Sequence, residues 1–315
     1  MTASFTKSSF SSAGTCAETA ATSKIFPVHD YDLSGTLNSG QTFRWQLREG
    51  WWEGVIGLRW VRLRSETELR TNGAGHPSVI IAEIAKPVDD WTWLADFLQV
   101  GLDLADVLRT FPDDQPMRSA VAACRGLRLL RQDPWECLAS FILSSTKRII
   151  QIRQIVAQLC EKFGEQLIVP QNHERVYCFP LPGRIAAAGE PELRACKMGF
   201  RAPNLRAAAQ MIASGTVDLG RLSALPVTEA RDALMRLPGV GRKIADCVLL
   251  FAFGFQDAFP VDVWVMKALR RLYFRRRPAS LKRLHAFAAD HFGNYAGYAQ
   301  QYLFHYARLH AKLDD

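Results

Sequence analysis

The chain has 315 residues, 48% of them hydrophobic and 22% charged, an ordinary globular balance with room for two or three domains around substantial cores. No run of about 18 uncharged apolar residues is present, which excludes a membrane-spanning helix of the usual kind. The formal charge is +8, and Lys267, Arg270, Arg271, Arg275, Arg276, Arg277, Lys282 and Arg283 account for all of it, with no acidic residue between Asp262 and Asp290.

A one-sided basic segment of this kind argues for a polyanionic partner rather than a solvated face. The seven cysteines are odd in number and none forms a CxxC pair. Neither a disulfide framework nor a zinc site is indicated, and a reducing compartment is expected.

Residues 1–24 are rich in Ser, Thr and Ala and read as a disordered tail, with no apolar core for a signal peptide. From 25 to 117 short aromatic and β-branched runs alternate with polar residues. Thr42–Trp45, Trp52–Ile56 and Trp60–Arg64 read as antiparallel strands. Six of the eight tryptophans lie in this part, and their expected role is core packing. Helical spacing from Thr92 to Leu108 completes an α+β N-terminal domain.

From 118 to 315 the chain reads as all-α. Gln132–Ser145 is an apolar helix opened by Asp133 as cap and Pro134 at its first position. Glu229–Leu237 is a short helix with Thr228 as its expected cap. Leu237–Gly241 (LPGVG) is a tight hairpin in which Pro238 fixes φ and Gly239 and Gly241 have access to angles closed to other residues. Ile244, Ala245, Val248, Leu249 and Ala252 then recur at helical spacing up to Gly254. A helix-hairpin-helix is therefore predicted at about 228–254. The free N–H groups of Gly239, Val240 and Gly241 lie at a helix N-terminus and suit a backbone phosphate.

Lys243 stands in the first turn of the second helix. A helix N-terminus and apolar surroundings both favour a nucleophilic amine. Cys247 is four residues on and shares its face. Asp262 follows Phe259-Pro260-Val261 and offers a carboxylate to stabilise an oxocarbenium-like sugar and to move protons. A bare LPGVG is a DNA-binding hairpin, and a lone helix lysine is usually solvated. Lysine, cysteine and aspartate together at this spacing favour catalysis.

The string LPGVGRKIADC, followed by PVDV, resembles the helix-hairpin-helix glycosylases of base-excision repair, and among them the 8-oxoguanine DNA glycosylase/lyases. The likeness runs from about Asp32 to Leu309. It implies Lys243 and Asp262 as the catalytic pair. No cysteine follows Cys247, so the iron–sulfur motif of the endonuclease III branch has no counterpart, and no metal or other cofactor is implied.

The same resemblance makes SGQTFRW (Ser39–Trp45) the substrate-pocket loop. 8-Oxoguanine carries a proton on N7 that guanine lacks, and the Gly40 carbonyl is placed to accept it. An unmade buried hydrogen bond costs about 1–3 kcal/mol, which sets the scale of that discrimination. In the last helix, read from Tyr295 to Leu309, Gln300 takes the amide that reads the base's Watson–Crick edge. Phe304, four residues on, takes the stacking ring, and Cys247 covers the other face of the base. Tyr298 and Tyr302 are expected in the core.

The chain departs from the family at the orphaned base. The Asn-rich triplet after the paired serines is Thr146, Lys147 and Arg148, and a later Arg is Gln151. Phe200 keeps the aromatic wedge and Arg201 keeps one donor. A relaxed preference for cytosine opposite the lesion is expected, with Lys147 and Arg148 adding phosphate contacts. The family's His after the catalytic Asp is Trp264, whose indole N–H is left to meet a phosphate, and that His's Asp partner is Ala307. The implied activity is excision of 8-oxoguanine from double-stranded DNA by base flipping and a Schiff base, carried out by a monomer away from membranes. It would work wherever the genome is, in nucleus or nucleoid, and would not be secreted. Two other readings stay open: a monofunctional alkylated-base glycosylase, which uses water and lacks the lysine, and a non-catalytic lesion-binding protein.

Overall fold

The aromatic and β-branched runs near the N-terminus form a five-stranded antiparallel sheet. In the computed structural model, which describes residues 21–67, 77–145, 147–171, 173–274 and 279–310, its strands are β1 (Ala21–His29), β2 (Gln46–Arg48), β3 (Trp51–Ile56), β4 (Arg59–Thr67) and β5 (Pro77–Val88). Their order is β1-β5-β4-β3-β2. Alternate residues Phe26, Val28, Trp52, Val61, Leu63, Ile80 and Ala82 bury one face of the sheet. Helices α1 (Leu33–Asn38) and α2 (Thr92–Leu98) close over it with Leu33, Leu37, Leu94 and Phe97.

Three local expectations change here. Thr42–Trp45 is not a strand. It is a loop between two cores, so Phe43 joins the helical core and Trp45 the sheet core, and both bury without a partner strand. Ala21–Lys24 belong to β1 rather than to a tail; residues 1–20 lie outside the described residues. The helical stretch from Thr92 breaks in two, because Gln99 adopts a left-handed φ of 54° and Asp103 starts α3 (Leu104–Arg109) by accepting from Ala105 N.

The helical body follows with α4 (Gln115–Ala123), α5 (Pro134–Ser144), α6 (Ile149–Phe163), α7 (Pro182–Ala187), α8 (Glu190–Ala195), α9 (Ala202–Ala213) and α10 (Val227–Met235). It ends with α11 (Arg242–Val248), α12 (Val263–Tyr273), α13 (Leu281–Phe292) and α14 (Ala296–His310). The sheet domain followed by this body is the α+β-then-all-α architecture. The expected division at 117/118 falls inside α4, and Leu104 and Val107 of α3 already pack in the helical core. Asp133 and Pro134 open α5 as expected, with the carboxylate accepting from Glu136 N. Residues Trp135 to Leu143 are all buried except Glu136, which makes α5 the central strut.

Helix α10 begins at Val227, with Pro226 at the cap position, so Thr228 lies in the first turn and is not the cap. Proline fits there because its preset φ suits the position and its missing N–H would be unused. After α11 the chain widens into a π-type turn, Leu249–Phe253, and Gly254 ends it with a φ of 74°.

Candidate active site

The hairpin between α10 and α11 is closed by Val240 N donating to Leu237 O at 3.1 Å, and Val240 is buried. Gly239 has a φ of 79°, and a Cβ there would lie 2.9 Å from the Asn204 Cβ, so conformation and space both demand glycine. Gly241 differs from its expectation: its φ is −94° with open space around it, a conformation any residue adopts. The two helices are braced by Asp246, which is 1% exposed. Its Oδ1 lies 2.6 Å from Arg231 Nε and its Oδ2 3.6 Å from Arg242 Nε. Burial raises the Asp246 carboxyl, and both guanidinium groups oppose that. From sequence alone Asp246 has no assigned role, although an acid on an apolar helix face four residues after Arg242 is the signal for this brace.

Lys243 is half-buried at the start of α11. Its Nζ lies 4.9 Å from the Phe141 ring and 3.5 Å from Ser144 Oγ, both on α5. Cys247 is buried on the next turn, and desolvation pushes its thiol up to about 12, against the pull of the Lys243 charge. It is therefore a neutral, apolar wall and not a nucleophile. Asp262 caps α12 by accepting from Val265 N at 2.8 Å. Its carboxyl is held above the usual range by burial; backbone N–H groups and the nearby Lys243 charge pull the other way. Lysine, thiol and carboxylate thus meet where α5, α11 and α12 converge.

Gly40 and Phe304 are also brought together. Gly40 has a φ of 88°, and a Cβ on it would lie 3.0 Å from Ile149 Cδ1, 3.2 Å from Arg308 Nη1 and 3.3 Å from Phe304 Cε1. Gln300, one turn before Phe304, is 4% exposed, and its Oε1 is buried with no hydrogen-bond partner in the protein. A buried amide oxygen left open in this way suits a polar ligand group. Tyr298 and Tyr302 are core residues as expected: Tyr298 Oη accepts from Leu129 N, and Tyr302 Oη donates to Leu127 O.

The residues assigned to the orphaned base lie on separate elements. Phe200 is 64% exposed on the 3-10 turn Gly199–Arg201. Arg201 is 2% exposed with its guanidinium 4.3 Å from the Phe200 ring, and burial lowers its pKa. Thr146 lies outside the described residues. Lys147 is half-buried, and Arg148 is exposed at the start of α6. Gln151, which stands where the family has an Arg, is exposed and folds back onto the start of its own helix: its Oε1 accepts from Arg148 N at 3.0 Å. Trp264 is exposed in the first turn of α12, with Lys267 Nζ 5.8 Å from its ring, and Ala307 sits on α14 beside Arg308.

A lysine-bearing helix-hairpin-helix in an all-α body defines the class, that of HhH-GPD superfamily base excision DNA repair proteins, whose model matches residues 139–288. Residues 25–138 match the N-terminal domain of 8-oxoguanine DNA glycosylase. An N-glycosylase/DNA lyase of Arabidopsis thaliana is 32% identical over 90% of this chain and 80% of its own. A probable N-glycosylase/DNA lyase of Methanothermobacter thermautotrophicus is 29% identical over 91% and 97%. The 8-oxoguanine glycosylase/lyase of Clostridium acetobutylicum, solved with DNA containing cytosine opposite 8-oxoguanine, superposes with a TM-score of 0.81. It is 31% identical over 90% of this chain and 94% of its own. This chain belongs to the 8-oxoguanine DNA glycosylase family.

Proposed function

We propose that this protein is a bifunctional DNA glycosylase and AP lyase that excises 8-oxoguanine from duplex DNA with Lys243 as its nucleophile. The hairpin Gly239-Val240-Gly241 holds a backbone phosphate, and the damaged nucleotide turns out of the stack between Phe304 and Cys247. Gln300 reads the Watson–Crick edge and the Gly40 carbonyl accepts the N7–H. Lys243 Nζ attacks C1′ as the C1′–N9 bond breaks, and Asp262 offsets the positive charge on the sugar. Loss of the amine proton and opening of the sugar at the C1′–O4′ bond turn this adduct into a Schiff base, and β-elimination then expels the 3′-phosphate and cuts the strand 3′ to the lesion. No metal and no cofactor enters this sequence.

The observation that carries this reading is the setting of Lys243. Its amine is half-buried between the Phe141 ring and Ser144 Oγ, with the raised carboxyl of Asp262 close enough to feel its charge. A purely DNA-binding hairpin has no use for that arrangement, nor for the open Oε1 of Gln300. Cytosine preference is relaxed, because Gln151 is engaged in capping α6 and the Arg201 guanidinium is buried against Phe200.

Borohydride trapping tests the reading. A duplex with one 8-oxoguanine opposite C is expected to give a covalent adduct with wild type and none with Lys243→Gln. Released base without an adduct would mean a water-activating mechanism. Neither base release nor adduct would leave a lesion-binding protein.

A further inference from the structure

The segment carrying Gly40 leaves α1 at its C-terminus, where the last carbonyl groups lack partners within the helix and bear partial negative charge. Two guanidinium groups from distant helices meet it. Arg308 of α14 donates from Nη1 to Ser39 O at 3.1 Å and to Asn38 O at 3.5 Å. Arg153 of α6 donates from Nη2 to the Asn38 side chain at 3.0 Å. Gln301, next to Gln300, donates to the same Ser39 O at 3.3 Å.

On the other side of Gly40 the chain is held by Gln41, which is fully buried. Its amide donates to Thr36 O, Arg128 O and Ser39 Oγ, its Oε1 accepts from Leu130 N, and its carbonyl accepts from Gln132 Nε2. Gly40 is thus the one residue between two clamps, and α14 supplies the upstream one. Arg308 also lies 5.4 Å from the Phe304 ring centroid, so a single side chain touches both the loop and the stacking ring.

We propose that Arg308 is a positioning residue for lesion discrimination: by holding the Ser39 carbonyl while resting on Phe304, it sets the direction of the Gly40 carbonyl relative to the stacked base. This rests on the reading of Gly40 and Phe304 as the base pocket. The guanidinium reaches both carbonyl oxygens through the single Nη1 while its plane stays near the Phe304 ring, whereas an ammonium supplies one point charge and no planar face. A Gly40 carbonyl that drifts loses its bond to N7–H of the oxidised base. It loses nothing with guanine, which has no proton there, and nothing with an abasic site.

Equilibrium binding in the Lys243→Gln background separates these cases. Three duplexes are compared, with 8-oxoguanine, guanine or a tetrahydrofuran abasic analogue opposite C, for the parent, Arg308→Met and Arg308→Lys. Arg308→Met is expected to weaken 8-oxoguanine binding roughly ten-fold and the other two less than about two-fold. Arg308→Lys is expected to recover only part, still losing roughly three-fold on the lesion alone. Should Arg308→Met fail to fold, Arg308→Lys decides by itself. Equal losses on all three duplexes would make Arg308 a phosphate contact or a fold support and overturn the proposal, as would no loss on any. A parent that binds 8-oxoguanine and guanine duplexes alike would instead remove the pocket reading, and the proposal with it.

Discussion

Gly40 and Phe304, 264 positions apart in the chain, lie side by side at the candidate base pocket, where a Cβ added to Gly40 would stand 3.3 Å from Phe304 Cε1. Their proximity joins the loop after α1 to the last helix, so sheet domain and helical body build one wall together. Gly40→Ala would set a methyl between Phe304, Ile149 and Arg308 at a φ of 88°. The left-handed conformation alone costs about 1–2 kcal/mol for a residue with a Cβ. The expected outcome is a small loss of thermal stability with at least a ten-fold fall in kcat/KM for 8-oxoguanine, a magnitude on the order of one lost hydrogen bond. Single-turnover kinetics at wild-type rate would remove Gly40 from the recognition role.

Asp262 does two jobs that substitutions can separate. It caps α12 through Val265 N and it faces the Lys243 charge. Asn is as good a cap as Asp, so Asp262→Asn is expected to keep the melting temperature. Asp262→Ala is expected to lose about 1 kcal/mol of stability. Both should lower kcat by at least roughly a hundred-fold, since both remove the charge opposite the developing cation. Partial burial holds the Asp262 carboxyl above its ordinary range. The required carboxylate is therefore lost as pH falls through that raised value, and the acid limb of kcat should lie above the normal Asp range. An acid limb at or below that range would show that Asp262 ionisation does not limit the rate.

The brace beneath the hairpin makes a stability prediction. Asp246→Ala leaves Arg231, which has only 13% of its side chain exposed, without its 2.6 Å partner. Removing one member of a buried pair typically costs about 3–5 kcal/mol. Arg231 retains some access to water, so a loss near about 3 kcal/mol is expected in urea unfolding. DNA affinity should fall with it, because α10 and α11 carry the hairpin between them. Unchanged stability would mean that Val240 and its apolar neighbours hold the hairpin without the ion pair.

The candidate catalytic segment is legible from Leu237 to Val263 because its residues are close in sequence. A hairpin, a lysine one turn later and a carboxylate beyond the helix are local features, and local geometry places them. Gly40, Gln300 and Phe304 were legible only through the family resemblance, since nothing in the spacing joins position 40 to position 304. The clamps around Gly40 stayed hidden for the same reason. Gln41 reads as a polar loop residue and Arg308 as a solvated charge on a C-terminal helix, until the fold brings both to one loop. β1, β2 and β5 do not stand out in the sequence, and the start of β1 falls in the stretch that reads as a tail. Thr42–Trp45 was over-read, because a run that buries both faces between two cores has the composition of a strand without its partner.

Phe200 separates function from stability more cleanly than any other residue of the site. A phenylalanine 64% exposed on a three-residue turn contributes little to the core, and exposed substitutions usually stay within about 0.5 kcal/mol. Its ring covers the Arg201 guanidinium at 4.3 Å, so its removal changes what that side chain meets rather than how the protein folds. If Phe200 is the wedge that the family resemblance implies, Phe200→Ala is expected to keep the melting temperature and to slow excision at least ten-fold, because no ring would then fill the gap when the base leaves the stack, and stacking is worth about 1–3 kcal/mol per base. The loss should be similar opposite C, A, G and T, since a wedge acts on the stack and not on base identity. Excision slowed opposite C alone would instead assign Phe200 to reading the orphaned cytosine and would remove the relaxed preference.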